Sequence, residues 1–436
     1  MTYDNMYLKR HSRSFANGFY RCLSESVPKK DVEPTKDDLK RTAENRIPFS
    51  RELVYFLTAN PHLSSVKKYI PPRHLAVTRA PENLYLICPN VAKSIANIVF
   101  PHLRSTKSQV IAETNAGLGL ITTELLEKGV DLIRLYEMCS DFRRELKEFG
   151  DVYPGRVELF TKDIFHLYRY AFIDKQDNGN RVEALLQGVS KRNWSDEPVM
   201  TIIGTMCNLY FLKYLIKSLV LQTGPTLYGR IKLFALMRPR DYAVLSATPK
   251  DNRVAYSAWA VLFNLFLDYD VLYEFPRKMF FPWDSKLKKT SYPNNYEVDK
   301  MYLVHINFKN ELPVPINQLL PLYYFIKQFY GRGTPQIIPT VEKWVPDSGL
   351  NVLLPKTKHF DYYCPMGIFT TFRELKPHQI LFVFKEMVNH PAYPGSPFRD
   401  MVENEMAKSE TIETCLAEAT FEKTVRGDLK EKLNND

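Results

Sequence analysis

The sequence predicts an α/β chain: a mostly parallel sheet, preceded by an N-terminal extension and followed by a small all-helical domain. Three observations predict it. From about residue 80 to 310, short strand-favouring runs alternate with helically spaced apolar stretches, as crossover helices between parallel strands require. A glycine turn, Ala116-Gly117-Leu118-Gly119, joins the first long strand to a helix. After residue 310 the strand pattern stops and only helical spacing remains.

Residues 1–75 are polar, charged and punctuated by prolines, and read as a basic extension with a short helix near Ser50 to Ala59. The first 24 residues carry Lys9, Arg10, Arg13 and Arg21 against Asp4, among Ser12, Ser14 and Ser24. That is the composition of a mitochondrial targeting segment, and equally of a plain basic arm. The α/β domain is expected over 76–310. Val91 to Val99 has helical spacing, and Leu120 to Lys128 forms the helix after the turn. Strands are expected at Gln109–Glu113, Asp131–Glu137, Val157–Thr161, Val199–Gly204, Ile231–Met237, Val271–Phe275 and Tyr302–Phe308. Helices are expected at Leu209–Gln222 and Ala255–Leu267. A helical domain over 311–400 rests on Leu320 to Tyr330 and His378 to Val388, and 401–436 reads as a charged tail. Two long stretches, Asp174–Asn193 and Lys278–Asp299, read as loops of the kind that carry function.

The chain has 436 residues, a formal net charge of +10 and a pI near 9.0. That balance suits an anionic partner, nucleic acid foremost. The six cysteines are scattered without C-x-x-C, and the nine histidines show no metal-ligand spacing, so no metal site is expected. The longest apolar run, Val254 to Leu267, is interrupted by Ser257 and Asn264. It is shorter than the roughly 18–20 residues of a spanning helix, and no membrane partner is expected.

The chemistry gathers at strand ends. Gly117 and Gly119 let the backbone turn tightly before a helix N-terminus, whose N–H groups favour anions. Glu113 ends the strand before the turn. Glu137, 24 residues further on, ends the next strand, where a carboxylate can accept both ribose hydroxyls. Asp163 follows the third strand, with Ile164 and Phe165 beside it. A carboxylate there can take an adenine amine while the apolar pair packs on the ring. Each acid alone reads more readily as a solvated strand-end charge; it is their register with the glycine turn that points to a ligand.

Together, Glu113-x-x-x-Gly117-x-Gly119, Glu137 and Asp163 resemble the cofactor motifs of the S-adenosylmethionine-dependent ribosomal RNA adenine dimethyltransferases. Tyr85-Leu86-Ile87-Cys88-Pro89-Asn90-Val91-Ala92 resembles that family's cofactor-capping segment, with Leu86 at the contact position. The likeness covers about residues 82–395. It is strongest to the mitochondrial transcription factor B branch, through the long stretch before the fourth strand, Gly229-Arg230-Ile231-Lys232-Leu233 and Phe329-Tyr330-Gly331-Arg332. The resemblance implies a Rossmann-like methyltransferase sheet, S-adenosyl-L-methionine as cofactor, and Leu86, Glu113, Gly117, Gly119, Glu137 and Asp163 as its binding residues.

One motif departs from the family. Its active members carry N-[LIV]-P-[FY] after the fourth strand; the Asn side chain and prolyl carbonyl accept from the target adenine N6, and the aromatic ring stacks on the base. Here the chain reads Gly204-Thr205-Met206-Cys207-Asn208-Leu209-Tyr210. In direct register Thr205 and Cys207 replace Asn and Pro. In shifted register Asn208-Leu209-Tyr210-Phe211 fills the slot without the proline, and Tyr210 can stack on a flipped-out base. Leu209, Tyr210 and Phe211 also read simply as a buried helix start.

Methyl transfer is therefore expected to be weakened or lost. The resemblance implies a second role: acting in the mitochondrial matrix nucleoid with mitochondrial RNA polymerase on promoter DNA, as a monomer before assembly. Its alternative substrate is adjacent adenines near the 3′ end of mitochondrial small-subunit rRNA. Lys278, Phe280, Phe281, Trp283, Lys286, Lys288 and Lys289, and more weakly Arg238-Pro239-Arg240, have the cation-and-ring composition of a single-strand surface.

Overall fold

A computed structural model describes residues 51–60, 63, 66–75, 83–251, 255–283, 299–329, 335–353 and 366–405. The targeting segment, Lys286, Lys288, Lys289, Gly331, Arg332 and the tail beyond Glu405 lie outside the described residues. In chain order, α1 (Arg51–Ala59), β1 (Tyr85–Leu86) and α2 (Pro89–Ser105) come first. Then β2 (Val110–Thr114), α3 (Leu120–Glu127), β3 (Ile133–Tyr136), α4 (Ser140–Val152) and β4 (Val157–Phe160) alternate. Next are α5 (Leu167–Asp177), α6 (Arg181–Leu185), β5 (Met200–Thr205), α7 (Tyr210–Val220), β6 (Ile231–Met237), α8 (Pro239–Leu245) and α9 (Ala258–Phe266). Strands β7 (Leu267–Pro276), β8 (Phe280–Phe281) and β9 (Lys300–Phe308) precede α10 (Ile316–Phe329), α11 (Ile337–Trp344), α12 (Gly349–Leu353) and α13 (Pro377–Val388).

The chain divides into two units. The first holds residues 1–104, 115–161 and 277–293. In it β3 and β4 pair in parallel, from Ile133↔Val157 to Tyr136↔Phe160. β1 and β8 pair antiparallel, Tyr85 opposite Phe281 and Leu86 opposite Phe280. Helix α2 buries Ala92, Ile95, Ala96 and Val99, the single face that 3.6-residue periodicity creates. Helix α4, which the sequence pattern does not announce, is charged but buries Phe142, Leu146 and Phe149 at helical spacing. The rings of His74, Tyr85, Phe142 and Phe281 form one cluster, with Tyr85 and Phe142 centroids 4.7 Å apart and His74 stacked on Phe142 at 5.2 Å.

The second unit holds residues 105–114, 162–276 and 294–436. Its strands run in the order β2-β5-β6-β9-β7. β2, β5 and β6 are parallel; β9 is antiparallel to both neighbours. β5 and β6 are buried at every residue, as parallel strands covered on both faces are. Helices α10 to α13 carry the C-terminal core, where Phe325 contacts the rings of Trp344, Phe372, Phe384 and Phe398.

Two expectations need correction. Asp174–Asn193 is not a loop throughout, because the end of α5 and all of α6 lie in it. Its polar residues close on one another: Arg181 donates to Asp174 Oδ1 at 2.8 Å and Asp177 Oδ2 at 2.6 Å, while Val182 N–H donates to Asp174 Oδ2. And Phe280 and Phe281, expected as surface rings, are fully buried by pairing with β1.

Candidate cofactor site and base pocket

In the first unit the glycine turn is a run of left-handed residues: Asn115 (φ 55°), Gly117 (φ 55°) and Gly119 (φ 66°). Gly119 is also the N-cap of α3. A Cβ on Gly117 would lie 2.8 Å from Tyr85 Cδ1, and one on Gly119 would lie 2.5 Å from Phe149 Cζ. The turn is thus closed down on neighbours that leave no room for a side chain. Glu137, wholly buried, reaches back to it. Its Oε2 accepts from the Gly117 N–H at 2.9 Å, and its Oε1 accepts from the Cys139 N–H at 2.7 Å. Leu86 is buried in β1 beside Tyr85. The first unit therefore brings together Tyr85 of Leu86's strand, Gly117 and Glu137.

A carboxylate oxygen can accept more than one hydrogen bond, the capacity that a ribose diol would use. Glu137→Ala would take the acceptor from the buried Gly117 N–H and from the half-buried Cys139 N–H. We expect it to destabilise the chain by about 2 kcal/mol or more, read as a lowered urea midpoint.

In the second unit Glu113 is buried on β2 and Asp163 is buried at the N-cap of a short turn. Asp163 Oδ1 accepts from Thr114 Oγ1 at 2.7 Å and from the Phe165 N–H at 2.8 Å. Its Oδ2 is buried with no hydrogen-bond donor among the described residues, 3.6 Å from His166 Nδ1. Such an orphaned acceptor is unusual, and it suits an incoming amine. Burial, then the Asp163 charge, pushes the Tyr170 phenol up to about 12. Thr114, which orients Asp163, carries no signal in the sequence; only the 49-residue separation closed by the fold reveals it.

β5 lies beside β2, with Gly204 opposite Thr114. Thr205 and Met206 are buried, and the Met206 N–H donates to the Leu236 carbonyl. The Cys207 carbonyl, in the proline's place, accepts from the Arg238 guanidinium. Arg238 is held in turn by Asp241 Oδ2 at 2.8 Å. In the shifted register Asn208 Oδ1 accepts from the Tyr210 N–H at 2.9 Å. Both candidate acceptors are thus engaged within the chain. Leu209 and Phe211 are core residues, but Tyr210 is 43% exposed and is not part of the core. The Arg238 side chain, expected among the nucleic-acid cations, is folded onto the pocket; Arg240 and Lys278 are exposed.

Described residues offer no group of three or more metal-ligating side chains, and no described helix is long and apolar enough to cross a membrane.

No family model matches the chain. Curated relatives do. Dimethyladenosine transferase 2, mitochondrial, of Drosophila melanogaster is 28% identical over 369 residues, covering 76% of this chain and 82% of the relative. The protein of that name from Homo sapiens is 23% identical over 312 residues, covering 68% and 73%. Among solved structures, the 23S rRNA methyltransferase ErmE matches with a TM-score of 0.44 and 13% identity, over 70% of this chain and 99% of that one. Over most of its length, this chain is thus similar to mitochondrial dimethyladenosine transferases 2.

Proposed function

We propose that this chain is a mitochondrial transcription initiation factor built on an adenine dimethyltransferase fold. It retains the residues for S-adenosylmethionine and has lost most methyl transfer. One observation carries the second half of that reading: Arg238 donates to the Cys207 carbonyl, the atom that should accept from the target amine.

Methylation of adenine N6 needs its lone pair turned toward the methyl group, because the amine is conjugated with the ring. Two fixed acceptors do that turning, and positioning is most of what the protein supplies. As the bond forms, N6 gains positive charge, which neighbouring acceptors stabilise. A guanidinium on the carbonyl opposes that charge instead. Thr205 offers a rotatable hydroxyl where a planar amide oxygen should be.

The cofactor residues fit their group. S-adenosylmethionine would supply the methyl; Glu137 suits its ribose hydroxyls, and the Asp163 Oδ2 atom suits its adenine amine. Asp163→Asn tests the second assignment. Asn keeps an oxygen for Thr114 and Phe165 but replaces the orphaned acceptor with an N–H donor. Equilibrium binding of S-adenosylmethionine should weaken at least about tenfold, one missing hydrogen bond and a donor clash. Unchanged affinity would contradict the assignment.

The mitochondrial names of the relatives support a mitochondrial placement, and the net charge of +10 supports a nucleic-acid partner. Mitochondrial RNA polymerase and promoter DNA are the proposed partners, with the factor acting in the matrix nucleoid. Promoter-dependent run-off transcription with that polymerase tests the role; a wild-type chain that adds nothing to it removes this reading. The second reading is dimethylation of adjacent adenines in mitochondrial small-subunit rRNA. The intact pairing of Glu137 with Gly117 favours it.

A further inference from the structure

Strand β7 is the last in its sheet. It pairs with β9, and among the described residues no strand pairs with its other side. At ten residues it is about twice the usual strand length, and a long open edge is a template for further pairing. The direction of its free backbone groups follows from the ladder. The Lys309 N–H donates to the Phe266 carbonyl, just before the strand. Leu267 and Phe308 are therefore a non-hydrogen-bonded pair, and alternation makes Tyr269↔Ile306 and Val271↔Val304 non-hydrogen-bonded too. The N–H and C=O groups of Tyr269 and Val271 thus point away from β9, into the open edge. Leu267 offers only its carbonyl there, since its N–H donates to the Phe263 carbonyl. Beyond Val271 a bulge shifts the register, and Pro276, which has no N–H, ends the strand.

The side chains along this edge carry a charge opposite to that of the whole chain. Asp268 and Asp270 are exposed on one face of β7, and neither forms an ion pair with a described residue. Glu274, also exposed, is paired with Lys300 at 2.7 Å. On the other face the Tyr269 ring meets that of Tyr242 on α8, 6.1 Å between centroids, and Val271 is 36% exposed. In a chain of net charge +10, carboxylates beside free strand donors and acceptors are selective. They repel a nucleic-acid backbone. They also repel the same edge of a second copy, since like charges directly opposite destabilise a strand pair. A strand that brings lysine or arginine is attracted.

We infer that the open edge of β7 is a docking site for an extended, cationic segment of a partner protein, which adds to the sheet as a further strand. Its backbone bonds to Tyr269, Val271 and the Leu267 carbonyl, and its cations lie beside Asp268 and Asp270. Side chains alternate across a strand, so the segment that fits has basic residues at every second position and apolar ones between. The apolar set lies on the face of Tyr269 and Val271. The site uses no residue of the cofactor turn or the base pocket, and it stands whether the chain serves transcription or methylation.

The test uses the full chain and a fluorescein-labelled eight-residue peptide of alternating lysine and valine. Its controls are the same peptide N-methylated at alternate residues, which cannot pair as a strand, and the peptide with glutamate for lysine. Binding is read by anisotropy, and hydrogen exchange is resolved to single amides. In the free chain the Tyr269 and Val271 amides should exchange fast, and those of Asp268 and Asp270, which face β9, slowly. The alternating peptide should bind and slow the Tyr269 and Val271 amides at least about tenfold, and neither control should. Asp268→Asn/Asp270→Asn should weaken binding at least about fivefold, and Asp268→Lys/Asp270→Lys should abolish it. Thermal melts of both variants should stay near wild type, because the two acids are exposed. No binding of the alternating peptide, equal binding of the N-methylated one, or binding indifferent to the aspartate changes would overturn the inference. So would Tyr269 and Val271 amides already slow in the free chain, since the edge would then be covered by the chain itself or by a second copy.

Discussion

Methyl incorporation into an adenine-containing RNA hairpin should run at least about a hundredfold slower with this chain than with a relative carrying an intact Asn-x-Pro-aromatic motif. The expectation rests on geometry at three residues. Thr205 is buried where the amide should stand, the Cys207 carbonyl is engaged by Arg238, and Asn208 Oδ1 is committed to the Tyr210 N–H. The loss should also be hard to reverse. Thr205→Asn with Cys207→Pro restores the motif's side chains but leaves the guanidinium on the carbonyl, so the rate should stay low. Adding Arg238→Gln should raise it above the double variant. That third change has a stability penalty, because burial pushes the Asp241 carboxyl pKa up and Arg238 is what holds it down. Thermal melts run beside the methylation assay separate the two effects. A wild-type rate equal to the intact relative's would remove the inactive-pocket reading.

Gly204→Ala should destabilise the chain by about 3 kcal/mol, a large value for a single added methyl. A Cβ there would overlap the Thr114 carbonyl oxygen and lie 2.7 Å from Thr114 Cγ2. The obstacle is backbone, fixed by the parallel ladder between β2 and β5, so neither strand can yield without losing register. The same shift would carry Thr114 Oγ1 away from Asp163. Urea unfolding should therefore show a lowered midpoint, and S-adenosylmethionine affinity should fall with it. By contrast, Gly155→Ala meets no atom within 4 Å, and only its φ of 73° opposes it; about 1 kcal/mol is expected there.

What is legible in the sequence is local. The strand Ile231–Met237 can be read to the residue, and the turn from Gly117 to Gly119 stands out because a strand, two glycines and a helix lie within a few residues. Glu137's place at the end of the next strand is legible too, but its bond back to the Gly117 N–H is not. What escapes is long-range or against propensity. Thr114 holds Asp163 across 49 residues, and Arg238 reaches Cys207 across 31; no periodicity encodes either pairing. Asn115 takes a left-handed conformation without being glycine. Phe280 and Phe281 sit between lysines in the sequence, and only their pairing with β1 shows them to be core. Tyr210 lies between two buried neighbours yet faces out, which composition does not tell.

The proposal that this chain is a transcription factor keeping an ancestral pocket whose reaction it does not need is tested most directly by run-off transcription from a mitochondrial promoter. Mitochondrial RNA polymerase is given wild type or Asp163→Asn, each with and without S-adenosylmethionine. Equal promoter-dependent transcript in all four reactions is the expected result. No stimulation by the wild-type chain, or stimulation that disappears with Asp163→Asn or without S-adenosylmethionine, would contradict it.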